Sequence, residues 1–232
     1  MPAALTTIKI LGLIGAASYA LARLTVLLGV ISWHRAIVIA VPQDRMPAMP
    51  RGFTVREVDA AELARWTIDV TPEQQAARFV QGITCLGAFN RDAILTGVVW
   101  VTATGCSEGD VALLTNPAAD GAWDTGMWIH PEHRLGRTFQ ALWAGVGAWL
   151  GARGLNASYS AIADYNINSL RSHRRLGMVR VSKITALRIG RWQWIAAGSQ
   201  PWRMVRPGNR IEWQVLPIAA GTPIALAPSL AG

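Results

Sequence analysis

The chain has 232 residues, room for one good-sized domain with an extension or for two small ones. Apolar residues make up 51%, ample for a core, and a mean hydropathy of +0.26 leaves a surplus that can face a membrane or a partner. The two cysteines, Cys85 and Cys106, have neither C-x-x-C spacing nor accompanying ligands, which excludes a zinc site and reads as buried free thiols. The formal charge is +8, and Lys9 and Lys183 are the only lysines. An arginine surplus suits phosphates and carboxylates. It is compatible with nucleic acid, an anionic membrane, an acidic carrier protein or a phosphorylated cofactor, or with nothing beyond an Arg-rich codon bias.

Residues 8–32 are nearly continuous apolar sequence, broken by Lys9 and Arg23. As a helix this stretch reaches ~37 Å at ~1.5 Å per residue, more than the ~30 Å hydrocarbon core. Arg23 in mid-segment argues against a span. Lys9 and Arg23 share a helical face with Ala16 between them, which fits a helix in the membrane interface or one docked on protein. Ala20, Leu21 and Ala22 also imitate a signal-peptide cleavage site. A β-prone run over 36–41 and a linker punctuated by Pro42, Pro47 and Pro50 follow, so residues 1–50 read as an N-terminal helix and linker.

The spacing predicts a strand over 53–58 and a helix from Ala60 capped by Asp59. A second helix starts at Thr71 and Pro72 and runs to about Val80. Residues 85–89 and 94–102 form a hairpin around Asn90, Arg91 and Asp92. Strands are expected over 111–114, 123–130, 156–162 and 179–189, and helices over 138–153 and 166–176, stopped by Gly154 and Gly177. The order implies an α/β or α+β sheet covered by helices on both faces. The domain would span 51–195, with a C-terminal extension over 196–232 that is an unstructured Ala/Pro-rich tail from Leu216 onward.

Two stretches carry chemistry. In residues 129–139 a strand ends, a turn bears Arg134, Leu135, Gly136 and Arg137, and a helix begins at Thr138 and Phe139. Free N–H groups at a helix start beside arginines make an anion site, naturally for a pyrophosphate; a plain strand-to-helix turn is the alternative. In residues 164–178, Asn166, Ser169 and His173 recur at helical spacings of three and four and share one face. Here the alternative is a helix capped by Asn166 with a solvated basic face.

Together these stretches resemble the GNAT acetyltransferase superfamily over residues 52–189. Pro131, Glu132 and Arg134 match the acyl-CoA loop, and Asn166, Ser169, His173, Gly177 and Met178 match the later motif. A bacterial GNAT-like subgroup fits more closely, on Arg134, Gly136, Arg137 and Phe139 and on Ser169, Leu170, Arg171, His173, Arg175, Leu176 and Gly177. The resemblance implies a GNAT-like, mostly antiparallel mixed sheet. It also implies an N-acyltransferase using acetyl-CoA or another acyl-CoA, without a metal, by direct attack of an amine on the thioester. Backbone at Trp128 and Ile129 would hold the acyl carbonyl. His173, in place of the family's tyrosine, could act as general acid or only touch the cofactor, which Asn166 and Ser169 would also contact. Asp124 and Glu108, with Asp110, are the candidate bases, each with an alternative as a cap or surface acid. Arg137 and Phe139 depart from the family's glycines, which puts the bound pose in doubt and leaves open a non-catalytic binding module. A long-chain or carrier-protein donor is a further alternative.

Eleven tryptophans exceed what a core needs. Trp100, Trp143 and Trp149 read as core, and Trp123 and Trp128 as pocket walls. Trp192, Trp194, Trp202 and Trp213 cluster with Arg191, Arg203, Arg206 and Arg210, an interfacial signature. No nucleic-acid motif is present, so no nucleic-acid partner is expected. The expected acceptor is an amine on a small molecule or lipid precursor. The expected location is cytoplasmic, with the inner membrane contacted through residues 8–32.

Overall fold

A computed structural model describes residues 2–28, 31–107, 109, 111–134 and 136–218. The chain runs α1 (Pro2–Leu28), β1 (Ile31–Pro42), β2 (Thr54–Glu57), α2 (Ala60–Leu63), α3 (Pro72–Val80), β3 (Thr84–Phe89), β4 (Leu95–Thr102) and β5 (Leu113–Asn116). It continues β6 (Gly121–Ile129), α4 (Thr138–Gly151), β7 (Ala157–Ala163), α5 (Ile167–Arg175), β8 (Val179–Ile189), β9 (Trp192–Ala197), β10 (Arg203–Val205) and β11 (Ile211–Gln214). Nine strands form one sheet in the order β10-β9-β8-β1-β7-β6-β4-β3-β2, and β5 pairs with β11 separately. Neighbours in the large sheet are antiparallel except β6 and β7. That pair is parallel because α4 carries the chain back between them, the crossover that parallel strands require.

Period-two alternation buries both faces of the sheet. In β1, Val38 and Ala40 join one core with Trp100, Tyr159, Ile195 and Leu63 of α2. Ile39 and Val41 join the other, with Leu142, Trp143, Val146 and Leu150 of α4. Gly145 lets α4 lie close to β2, because a Cβ there would collide with the Val55 side chain. Local signals set the helix starts. The Asp59 carboxylate accepts from Glu62 N–H at 2.7 Å, and Thr71 forms a capping box with Gln74 ahead of Pro72. Cys85 and Cys106 are buried and unbonded to each other, and burial pushes the Cys85 thiol up to about 12. A thiol held so firmly protonated is a packing group rather than a nucleophile.

The mixed, mostly antiparallel sheet with helices on both faces agrees with the sequence reading, but the domain edges do not. The β-prone run at 36–41 belongs to a twelve-residue strand at the centre of the sheet, paired with β7 on one edge and β8 on the other. Residues 31–42 are therefore part of the domain and not of a separate 1–50 piece. At the far end, β9 and β10 extend the same sheet, and β11 pairs with β5. The segment from 196 to 214 is thus built into the fold; the proposed tail beyond residue 218 lies outside the described residues.

Helix α1 breaks at Gly12, where φ is 71°, so the helical phase linking Lys9 to Arg23 is interrupted. Ala16 is buried and Arg23 exposed; the Lys9 side chain lies outside the described part. The Ala20, Leu21 and Ala22 triplet sits inside the helix. Among the described residues no helix is long and apolar enough to cross a membrane.

A chain lacking residues 1–42 loses a strand whose backbone is paired on both edges and whose Val38, Ile39, Ala40 and Val41 are fully buried. It is expected to show no cooperative thermal melt by circular dichroism, while the full chain melts in one transition.

Candidate active site

The site begins where β6 and β7 separate. Their parallel register runs from Gly121 opposite Ala157 to Asp124 opposite Ser160 and stops there. β6 continues along β4 to Ile129, but its other edge is open. At the same point β6 carries a bulge against Trp100 and Val101 of β4. Gly126 adopts φ 143°, which a residue with a Cβ rarely takes. The Asp124 carboxylate accepts from Gly126 N–H at 2.8 Å and from the Ser160 hydroxyl at 3.0 Å. It thereby ties the bulge to both strands at the apex of the opening. Burial raises the pKa of Asp124; the Gly126 bond, His173, Ser160 and Arg78 oppose that rise.

Backbone alternation decides which groups face the opening. His130 N–H donates to Thr96 O of β4 at 2.9 Å. In an antiparallel ladder the next hydrogen-bonded partner is then Trp128 with Val98, so the N–H groups of Met127 and Ile129 point to the open edge. Of the two residues expected to offer backbone here, Ile129 does so and Trp128 does not. Met127 takes its place, while Trp128 itself contributes to the cavity wall.

That cavity measures about 450 Å³. It brings together Ile129, Arg134, Phe139, Asn166, Ser169 and His173 from the two motifs, with Trp128 beside them. Asn166 caps α5 through its side-chain oxygen, which accepts from Ser169 N–H at 3.2 Å, so capping and wall-forming coexist. His173 is buried, with its ring edge-on to Trp143 at 5.2 Å and to Phe139 at 5.8 Å. Its Nδ1 lies 2.7 Å from the Ser169 carbonyl oxygen. A carbonyl can only accept, so Nδ1 carries the proton and Nε2 is the nitrogen left for proton exchange.

The expected anion site lies at the start of α4. The first N–H groups of a helix have no intrahelical acceptor, and Arg137 at the N-cap makes no side-chain cap bond. Thr138 Oγ1 is buried without a protein partner, and Gly136 and Arg137 are exposed. Arg134 Nε donates to Ile129 O at 3.3 Å, which fixes the guanidinium between the loop and β6. This donor set fits the phosphates of a nucleotide-type cofactor.

The remaining candidates do not converge. Asp124 is absent from the cavity lining, and its carboxylate is committed to Gly126 and Ser160, so it positions the bulge rather than meeting a substrate. Glu108, Asp110 and Leu135 lie outside the described residues. Among the described residues no group of three His, Cys, Asp or Glu could hold a metal. A larger hollow of about 660 Å³ beside β8 and β11 includes Arg180 and Lys183 but none of the motif residues, so volume alone does not mark the site.

Arg78 and Asp69 are among the lining residues that escaped the sequence reading. Arg78 on α3 donates through Nη2 to Thr125 O at 3.0 Å and lies over the Trp100 ring at 5.2 Å. Asp69, in the loop before α3, is exposed at the cavity rim. Neither belongs to a motif, and Arg78 meets the bulge across 47 residues of sequence; only the fold makes them neighbours.

A family model for the acetyltransferase (GNAT) domain matches residues 52–179, more than half of the chain. No curated protein matches it. Among solved structures, a GNAT-family protein from Novosphingobium aromaticivorans shares 16% identity, with a TM-score of 0.49 over 68% of this chain and 65% of that one. A GCN5-related N-acetyltransferase from Sphaerobacter thermophilus shares 18%, with a TM-score of 0.42 over 77% and 54%. A Salmonella typhimurium protein solved with its cofactor acetyl-CoA shares 17%, with a TM-score of 0.39 over 67% and 94%. The chain thus spans less than two thirds of the first two proteins.

Because Asp124 is raised in the folded state, the native protein holds a proton that the unfolded chain has released between the ordinary value of 3.8 and the raised one. Stability therefore falls as pH rises through that interval. Asp124→Asn, which keeps an acceptor for Gly126 and can donate to Ser160, is expected to flatten the dependence of melting temperature on pH above 4.

Proposed function

We propose that this chain, which belongs to the GNAT acetyltransferase family, is an acyl-CoA-dependent N-acyltransferase that moves an acyl group from a CoA thioester to an amine. The observation that carries the reading is the opening beyond Asp124 and Ser160, with the N–H groups of Met127 and Ile129 on its free edge and the start of α4 at its mouth. Acetyl-CoA or another acyl-CoA supplies an activated carbonyl and a good leaving group. The α4 N-terminus, Arg134 and Arg137 would hold its phosphates. Met127 and Ile129 N–H groups donate to the carbonyl oxygen as it gains negative charge during attack. The C–N bond forms as the C–S bond breaks. His173 Nε2 is placed to hold the proton that the departing sulfur takes up, with Nδ1 anchored on Ser169 O. The amine gives up a proton as it is acylated. Asp69 at the rim is the described acid able to receive it, and Arg78 beside the bulge offers a contact to an anionic group on the acceptor.

The acceptor is proposed to be an amine on a small molecule or lipid precursor, and the cytoplasm is the compartment where an acyl-CoA donor is available. A second reading, a GNAT-fold module that binds CoA without turnover, is favoured by Arg137 and Phe139 in place of the family's glycines. Phe139 occupies the cavity wall and meets the His173 ring. An acyl group of greater length, on CoA or on an acidic carrier protein, is a variant of the first reading.

Calorimetry with acetyl-CoA and longer acyl-CoAs tests the cofactor site. Wild type is expected to bind, and an Arg134→Ala, Arg137→Ala double variant to bind about a hundredfold more weakly, since a hydrogen bond to a charged group contributes about 1.5–3 kcal/mol. His173→Ala is expected to keep binding and lose about a hundredfold in kcat, the lower range for general acid–base catalysis. Wild type that binds yet turns over no amine in an acceptor screen supports the module, and a folded wild type that binds no acyl-CoA sinks the cofactor site.

A further inference from the structure

Helix α1 is packed the opposite way from an ordinary docked helix. Among its described side chains Gly15, Ala16, Ser18 and Thr25 are buried, and Ser18 Oγ accepts from Trp33 Nε1 of β1 at 3.2 Å. The large apolar side chains face outward: Leu13 is 75% exposed, Ile14 64% and Leu24 55%. Leu13, Ala17, Ala20 and Leu24 recur at steps of four, three and four, forming one exposed apolar stripe.

The sheet continues that patch. Trp33 stands opposite Leu187, Leu187 opposite Trp194, and Trp194 opposite Met204, so these four share the face on which α1 lies. An apolar hollow of about 300 Å³ opens among Trp33, Leu187, Ile189, Trp194 and Trp202. Trp202 and Met204 are more than half exposed.

The segments that build this face carry charge of mostly one sign, and Asp164, which precedes Tyr165, is paired with Arg35. Thirteen of the fourteen acidic residues fall within 44–164, and the other is Glu212. Residues 1–43 contain Lys9, Arg23 and Arg35 and no acid, and residues 165–211 contain ten basic residues and no acid. Those two segments are the ones that build α1, β1, α5 and β8 to β10. Arg23, Arg191 and Arg206 are exposed; Arg203 is exposed too but stands opposite Ile195, on the other face of β10. Also exposed are Arg171, Arg174 and Arg175 on α5, which adjoins α1 where the Tyr19 and Tyr165 rings meet edge-on at 5.6 Å.

We propose that this face docks on the surface of an anionic lipid bilayer, with α1 lying in the interface and the arginines meeting the headgroups. A second copy of the chain would bring two basic faces together and is disfavoured by repulsion. Nucleic acid would satisfy the arginines but leave Leu13, Ile14 and Leu24 in water. An anionic bilayer accommodates both, with Trp and Arg at the headgroup level. The exposed Arg23 in the helix disfavours a span and favours a helix resting on the membrane. The docking does not depend on the acyl-transfer reading.

The full chain is tested by flotation with vesicles of phosphatidylcholine alone and of phosphatidylcholine with an equal part of phosphatidylglycerol. Expected is binding to the anionic vesicles only, released at high salt. A Leu13→Glu, Leu24→Glu double variant should lose about tenfold or more of that binding, with its thermal melt and acetyl-CoA affinity unchanged. If that variant does not fold, Arg191→Ala with Arg206→Ala, on exposed side chains, should weaken anionic binding on its own. Absence of binding to the anionic vesicles, or equal binding to both kinds, overturns the proposal. So does a wild-type dimer in sedimentation that Leu24→Glu dissociates, or stoichiometric capture of an oligonucleotide that abolishes flotation.

Discussion

At Asp124 one carboxylate accepts the Gly126 N–H and the Ser160 hydroxyl, and these two bonds lie at the point where parallel strands stop pairing. A continuous β6–β7 ladder would consume the N–H groups of Met127 and Ile129 as ordinary sheet bonds. The bulge, with Gly126 in a conformation that a Cβ disfavours, turns β6 away and leaves them free. The clamp is buried, and that burial raises the pKa of its acid; the bend is held without an exposed ion pair.

The opening is useful because elements of different origin reach it. β6 supplies backbone donors, α4 begins at its mouth, α5 brings His173 across on a turn of helix, and α3 lays Arg78 over the bulge. His173 is held by its own helix carbonyl and by the edges of Trp143 and Phe139. Its ring therefore has one orientation available, which leaves Nε2 as the free nitrogen. Phe139, where the family pattern has a small residue, is part of that support: what the loop loses in close backbone approach, the histidine gains in packing.

The rest of the sheet is assembled from both ends of the chain. β1, from the first fifth of the sequence, separates β7 from β8, and β8 to β10 complete the side away from the acids. The charge division along the chain thus becomes a division in space, with the acid-free segments gathered around β1. The same assembly gives α1 a sheet face to lie on and leaves Leu13, Leu21 and Leu24 outward.

Local codes were readable from sequence. The caps at Asp59 and Thr71 and the hairpin turn at Asn90 followed from side chains acting on their own backbone, an effect confined to a few residues. The two motifs placed Arg134, Asn166, Ser169 and His173 for the same reason: each lies on one short element whose period sets its face. The place of β1 was not readable, because a β-prone run carries no record of which strands will pair with it. Nor were the roles of Asp124, Met127 and Arg78, since a clamp depends on Ser160 arriving from another strand, a free N–H on where a ladder ends, and a cation over a bulge on a helix crossing it. The sequence by itself determined the elements and their chemistry; the tertiary structure decided which edges stay unpaired, because hydrogen bonds between strands are settled only when distant segments meet.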